Sequence, residues 1–146
     1  MKEVAIIPGI DGRKMSKSYG NAIPLFGTDE EIKKAVMSII TDSSTPEEKK
    51  DPEKCNIFAL HKLFLKGNEL ENLRERYING GLGYKESKDM LYEEILSVIR
   101  PMREKRKYYE NNIDEVKKIL REGALKARNN NLAKMKIIRN KMGFNL

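Results

Sequence analysis

Two lysines and two hydroxyls alternate in Lys14-Met15-Ser16-Lys17-Ser18, and Gly9, Gly12 and Gly20 bracket them. That combination suits a polyphosphate. Ammonium groups neutralise non-bridging oxygens as compact charges, hydroxyls and exposed backbone N–H groups donate to them, and glycine permits the close approach. The spacing is not that of a P-loop, because no Gly-x-x-x-x-Gly-Lys-Ser/Thr run occurs. A solvated surface turn is the competing reading of a Lys/Ser/Gly stretch.

The literal pentapeptide favours the first reading. Lys14-Met15-Ser16-Lys17-Ser18 resembles the mobile ATP-binding KMSKS loop of class I aminoacyl-tRNA synthetases. Its flanks, Ile7-Pro8-Gly9-Ile10-Asp11-Gly12-Arg13 before it and Tyr19-Gly20-Asn21 after it, are similar to the bacterial tryptophanyl-tRNA synthetases. Asp51-Pro52, Cys55-Asn56-Ile57-Phe58, Gly83-Tyr84-Lys85 and Gly123-Ala124-Leu125-Lys126-Ala127-Arg128 follow in the order of that family. The resemblance covers almost the whole chain and implies its C-terminal part, with the amino-terminal catalytic portion absent.

The resemblance implies an enzyme that joins tryptophan to ATP, releases pyrophosphate and passes the aminoacyl group to tRNA-Trp. On it, Lys14 and Lys17 are the catalytic residues that stabilise charge on the leaving pyrophosphate. Lys17, between the two hydroxyls, takes the larger share, and Lys14 aids nucleotide capture. The Met15 backbone, Ser16 and Ser18 complete the ATP and pyrophosphate contacts. Such a lid works by electrostatic stabilisation and needs no general base from this chain. Tryptophan would bind only through the absent portion, so the chain alone is expected to be inactive. Magnesium is expected only with the nucleotide, since no carboxylate cluster forms a cage. The later helices resemble the anticodon-binding bundle, without assigning individual tRNA contacts. The full-length family implies a homodimer and leaves a monomer open for this chain. The alternatives are a free-standing basic helical module that binds tRNA without catalysis, and a partner-binding helical domain.

The elements that must position the loop read as helices. Val4-Ala5-Ile6-Ile7 is a short β-branched lead-in closed by Pro8-Gly9. Thr28 and Glu31 form a capping box, followed by Ile32, Val36 and Ile39 on one helical face up to about Thr41. Asp42 to Asp51 is polar enough for a surface loop, and Pro52 suits the first turn of a second helix faced by Ile57, Leu60 and Phe64. His61, on that side, reads as a hydrogen-bonded residue at the core edge. Asn68 with Glu71 suggests a capped third helix lined by Leu70, Leu73 and Tyr77, ending at Gly80-Gly81. Leu91, Ile95, Val98 and Met102 mark a fourth helix kinked at Pro101. Val116, Ile119, Leu120, Gly123, Ala127, Met135, Ile138 and Met142 trace a fifth, whose small residues permit close packing. The expectation is a mainly α fold. Residues 1–27 form the extended lead-in and loop, residues 28–146 an anticodon-binding-like bundle of about five helices, and a Rossmann catalytic domain is not encoded. One strand candidate cannot build β-α-β units.

Composition sets the remaining bounds. With 146 residues, 39% hydrophobic and 35% charged, the chain is one compact unit's worth and reads as soluble and cytoplasmic. No apolar run approaches the ~18 residues of a membrane span. Cys55 is alone, which excludes a disulfide framework, and reads as a buried structural thiol. The net charge of +7 is concentrated at one end: residues 117–146 carry nine Lys or Arg against Glu122, a net of +8. That is the footprint of a polyanion-binding surface, or of a solvated helix face. Gly9 to Asn21, with few apolar residues, is expected to be mobile.

Overall fold

The computed structural model describes residues 6–144, so Val4 and Ala5 of the expected lead-in lie outside the described residues. Among those residues there are five α-helices, no β-strand and one isolated antiparallel bridge between Pro8 and Lys14. The helices are α1 (Asp29–Met37), α2 (Asn56–His61), α3 (Asn68–Asn79), α4 (Tyr84–Asn111) and α5 (Ile113–Lys141). A mainly α fold without a Rossmann sheet is therefore what the sequence folds into. It divides into two compact units, residues 1–102 and 103–146, where length alone suggested one.

The first unit is built by α1 to α3 and the first part of α4. Thr28 caps α1 as expected: its Oγ1 accepts the Glu31 N–H at 3.1 Å while a Glu31 carboxylate oxygen accepts the Thr28 N–H at 2.7 Å. Ile32, Val36 and Ile39 then pack with Ile57, Leu60, Leu91, Ile95, Leu96 and Ile99. A second cluster joins Phe58, Leu73, Tyr77 and Leu82, with the Phe58 and Tyr77 rings edge to face at 5.3 Å.

Several details depart from the periodicity. α2 stops at His61, so Phe64 packs on the core from beyond the helix. Gly67, not Asn68, is the cap of α3, and no side chain caps it; Glu71 N–H bonds to the Gly67 carbonyl instead. On α4 the buried face runs Leu91, Ile95, Leu96 and Ile99, while Val98 and Met102 are exposed. The helix is continuous through Pro101, and the boundary between the units follows directly after Met102.

Lys50, expected on a polar surface loop, is buried. Its Nζ donates to the carbonyls of Thr45 at 2.6 Å and Glu48 at 3.0 Å, so the ammonium is what satisfies an irregular segment's backbone. His61 is not at the edge but fully buried: Nδ1 donates to the Glu94 carboxylate at 2.7 Å and Nε2 lies 3.1 Å from Ser87 Oγ. Ser87 Oγ in turn lies 2.6 Å from Tyr77 Oη, whose phenol burial pushes to a higher pKa. Cys55 is half-buried, its thiol donating to Tyr77 Oη at 3.8 Å.

The second unit contains the end of α4, a turn at Asn112 and α5. Asn112 Nδ2 donates to the Tyr108 carbonyl at 2.7 Å, and Tyr108 Oη donates to Glu115 at 2.8 Å across the turn. That bond to a carboxylate holds the Tyr108 phenol protonated to higher pH. α5 has no buried residue, and Leu120 and Leu125 are 67% and 60% exposed. A Cβ on Gly123 would meet open space among the described residues.

Candidate functional site

The pentapeptide lies on a turn whose base is fixed by the backbone. Met15 N–H donates to the Ile7 carbonyl at 2.8 Å and Gly9 N–H to the Arg13 carbonyl at 2.7 Å, which closes the Pro8–Lys14 bridge. Gly12, at φ 77°, turns the chain against Asn56 at the start of α2; a Cβ there would lie 2.7 Å from Asn56 Nδ2. Ile7, Ile10 and Met15 pack on the main core, and Ile40 N–H, just past α1, donates to the Ile10 carbonyl at 2.8 Å. Lys88 of α4 fixes that end of α1 by donating to the carbonyls of Met37 at 3.0 Å and Ile39 at 2.7 Å, a cation on exposed C-terminal carbonyls. Burial lowers the pKa of this ammonium. The base of the turn is thus anchored by apolar contacts as well as hydrogen bonds, which the scarcity of apolar residues did not suggest.

Inside the turn, Asn21 is the hub. Its Oδ1 accepts the Ser16 N–H at 2.8 Å, and its Nδ2 donates to Asp11 Oδ1 at 2.8 Å and the Lys14 carbonyl at 3.1 Å. Asp11 also accepts from Arg13 Nε at 2.7 Å. The Asn21 amide, and after it Arg13, holds the Asp11 carboxyl below the usual carboxylate range. Arg13 lies over the Tyr19 ring at 5.2 Å.

The outer part of the turn is different. Lys14, Lys17 and Ser18 are exposed, whereas Met15 and Ser16 are half-buried. Lys17–Tyr19 form a single 3-10 turn, and Ser16 Oγ lies 2.8 Å from Ser18 Oγ, so the two hydroxyls are brought together. Met15 N–H is engaged with Ile7 and Ser16 N–H with Asn21. Chemically this is a pair of solvent-facing ammonium groups and a hydroxyl pair on a fixed base, which can neutralise and donate to a polyphosphate. A cavity of about 200 Å³ lined by Ile40, Thr41, Asp42, Lys54, Cys55, Asn56 and Tyr84 contains neither pentapeptide lysine.

In the second unit, Lys117, Arg121, Arg128 and Arg139 on α5 fall within roughly 40° of arc at 100° per residue. All four are exposed, and Lys117 also reaches Asp114 at 3.2 Å. These positions form a basic stripe without a packed site behind it.

Sequence reasoning picked out the lysines and hydroxyls but missed Asn21, Lys88 and the Asp11 acceptor. The only signal was that Asp11 lies within the glycine-bracketed stretch and Asn21 directly follows it, and nothing of the kind pointed to Lys88.

The family model for tRNA synthetases class I (W and Y) matches residues 1–100. The chain is 44% identical over 124 residues to the tryptophan–tRNA ligase of Rhodopirellula baltica, covering 85% of this chain and 39% of that protein. It is 42% identical over 136 residues to that of Fusobacterium nucleatum, covering 93% of this chain and 42% of the relative. Among solved structures, tryptophanyl-tRNA synthetase from Campylobacter jejuni complexed with ADP and tryptophan superposes with a TM-score of 0.85 at 42% identity, over 98% of this chain and 45% of that one. The chain therefore spans about two fifths of the length of the relatives it matches. Since the family model covers the pentapeptide, its anchored base and the core beneath it, the chain belongs to the class I tRNA synthetases of the W and Y type.

Proposed function

We propose that this chain is the C-terminal part of a cytoplasmic tryptophan–tRNA ligase, carrying the ATP-phosphate lid and the tRNA-facing helices. The complete enzyme joins tryptophan to ATP with release of pyrophosphate, then transfers the tryptophanyl group to tRNA-Trp. The observation that carries the reading is the pair of exposed lysines on an otherwise hydrogen-bonded turn. Lys17 and Lys14 offset the charge that builds on the pyrophosphate as it separates. A preorganised cation needs no rearrangement at that moment, which is why it favours the transition state. Ser16 and Ser18 donate to the same oxygens. Met15 anchors, since its N–H is bonded to Ile7 and reaches phosphate only if that bond exchanges. ATP arrives with its own Mg2+. Residues 1–27 act as lead-in and lid, and residues 28–146 as the helical portion that meets the anticodon region of tRNA-Trp. The full-length protein acts as a homodimer.

The test is a chimera in which this chain replaces the corresponding part of the Campylobacter jejuni enzyme. Tryptophan-dependent exchange of radiolabelled pyrophosphate into ATP is expected from the chimera and not from this chain alone. A folded chimera at background contradicts the reading, and exchange by the isolated chain contradicts its being only part of the catalyst. The free-standing module is the second reading, favoured by the basic stripe of α5, and it predicts tRNA binding by this chain together with a folded chimera that stays at background.

A further inference from the structure

Asn21 is 2% exposed, yet none of its side-chain bonds reaches the helical core. All three go back into the turn. The amide spends its acceptor on Ser16 N–H and its donors on the Lys14 carbonyl and Asp11, so it grips the backbone on both sides of Met15. Lys14 leaves the chain at the first of the two peptide groups it holds, and Lys17 follows the second by one residue. Packing enforces the same geometry: a Cβ on Gly9 would collide with the Asn21 amide, and the Asn21 carbonyl accepts Ile10 N–H at 3.0 Å.

We infer that Asn21, locked by Asp11, is a positioning residue for the pentapeptide, setting the two lysines for a pyrophosphate group before it binds. The inference rests on the proposed phosphate-binding role of Lys14 and Lys17. Asparagine supplies an acceptor and two donors without charge, on a stem short enough to stay within the turn. Aspartate keeps the acceptor but turns a carboxylate toward Asp11, and alanine leaves the Ser16 N–H and Lys14 carbonyl without their partner. Without the grip the same charges remain but must be ordered on binding, which weakens it.

The experiment titrates this chain with inorganic pyrophosphate and follows backbone amides by NMR, together with hydrogen exchange. In Asn21→Ala, affinity is expected to fall about tenfold and Ser16 amide exchange to accelerate at least about tenfold, the scale of one lost buried hydrogen-bond partner. Exchange at Ile32, Leu91 and Ile95 should not change. Asn21→Asp should weaken binding further by placing two carboxylates face to face. The charge-conserving swap Asp11→Asn with Asn21→Asp re-forms their hydrogen bond in reverse and should recover affinity over the single Asn21→Asp variant, which a general loss of structure does not do. Wild-type affinity in Asn21→Ala, while Lys17→Ala is impaired, overturns the positioning role and leaves the phosphate-binding reading intact. Absence of pyrophosphate binding by the wild type, or wild-type affinity in both Lys14→Ala and Lys17→Ala, overturns that reading and the positioning role with it.

Discussion

The two basic regions of this chain carry the same kind of charge on opposite kinds of scaffold. Lys14 and Lys17 project from a turn whose base is bonded to Asn21, Ile7 and Ile40 and packed on the main core through Ile7, Ile10 and Met15. The nine cations of residues 117–146 extend along α5, which has no buried residue. A cation whose backbone is held in place can be stronger toward a transition state than toward a ground state, because less of the chain must be ordered on the ligand. A cation on a solvated helix contributes by addition, releasing counterions wherever a phosphate backbone lies along it. The difference predicts large, localised effects in the first region and small, cumulative ones in the second.

The scaffold contrast gives the largest expected effect. Leu91→Ala, in the cluster beneath the turn, should destabilise the first unit by about 2–5 kcal/mol. Leu120→Ala on α5 should change stability by no more than about 0.5 kcal/mol. Urea unfolding followed through each unit checks both, and equal losses would break the comparison.

Chemistry comes next. In the chimeric ligase, Lys17→Ala should lower the rate of tryptophan activation by about 10²- to 10³-fold, or about 3–4 kcal/mol, with a much smaller change in KM for ATP. Lys17→Arg should not restore it fully, since a planar fork replaces a compact charge. Pre-steady-state rates that fall little beside a large loss of ATP affinity would show uniform binding instead.

On α5 the effect is distributed. Binding to tRNA should weaken with salt at roughly −0.7 to −0.9 in log–log slope for each phosphate neutralised. Arg121→Gln should reduce that slope by about one, whereas Lys17→Ala should leave it unchanged. A flat salt response would make the stripe a solvated face only.

The smallest effect is a titration. Asp11 has a pKa lowered in the folded chain, so its contribution to the order of the turn is complete above the unfolded value of about 3.9 and is lost as pH falls through the lower folded value. Ser16 amide protection should therefore hold above about pH 5 and decline below about pH 4. Asn21→Ala removes the largest cause of the depression and should move the Asp11 midpoint, read from its carboxyl carbon shift, upward.

Local signals were legible where the chemistry is sequential. The Thr28–Glu31 capping box and the Ile32 and Val36 face of α1 lie within a few residues of one another and are found as read, although α1 ends at Met37, short of Thr41, and Ile39 packs on the core from beyond it. What was not legible depends on partners distant in sequence or on one atom's choice among several. Lys88 reaches carbonyls at Met37 and Ile39, and His61 finds Glu94, in each case across helices. Lys50 resembles its neighbours in the Glu-Glu-Lys-Lys run, but three backbone carbonyls and the Tyr84 ring converge on its ammonium. The α5 periodicity was read as a packing face, but apolar spacing states what a helix can bury, and none of the described α5 residues is buried.

The most direct test of the contrast is a pair of titrations of this one chain, with inorganic pyrophosphate and with tRNA-Trp, each followed residue by residue through backbone amides. Pyrophosphate is expected to shift residues 14–18 and leave α5 nearly silent at about 0.15 M salt, while tRNA shifts α5 in a salt-dependent manner. Pyrophosphate perturbing the α5 lysines as strongly as Lys14 and Lys17 would mean that the turn is one more basic patch, and would contradict the claim that its geometry makes it a site.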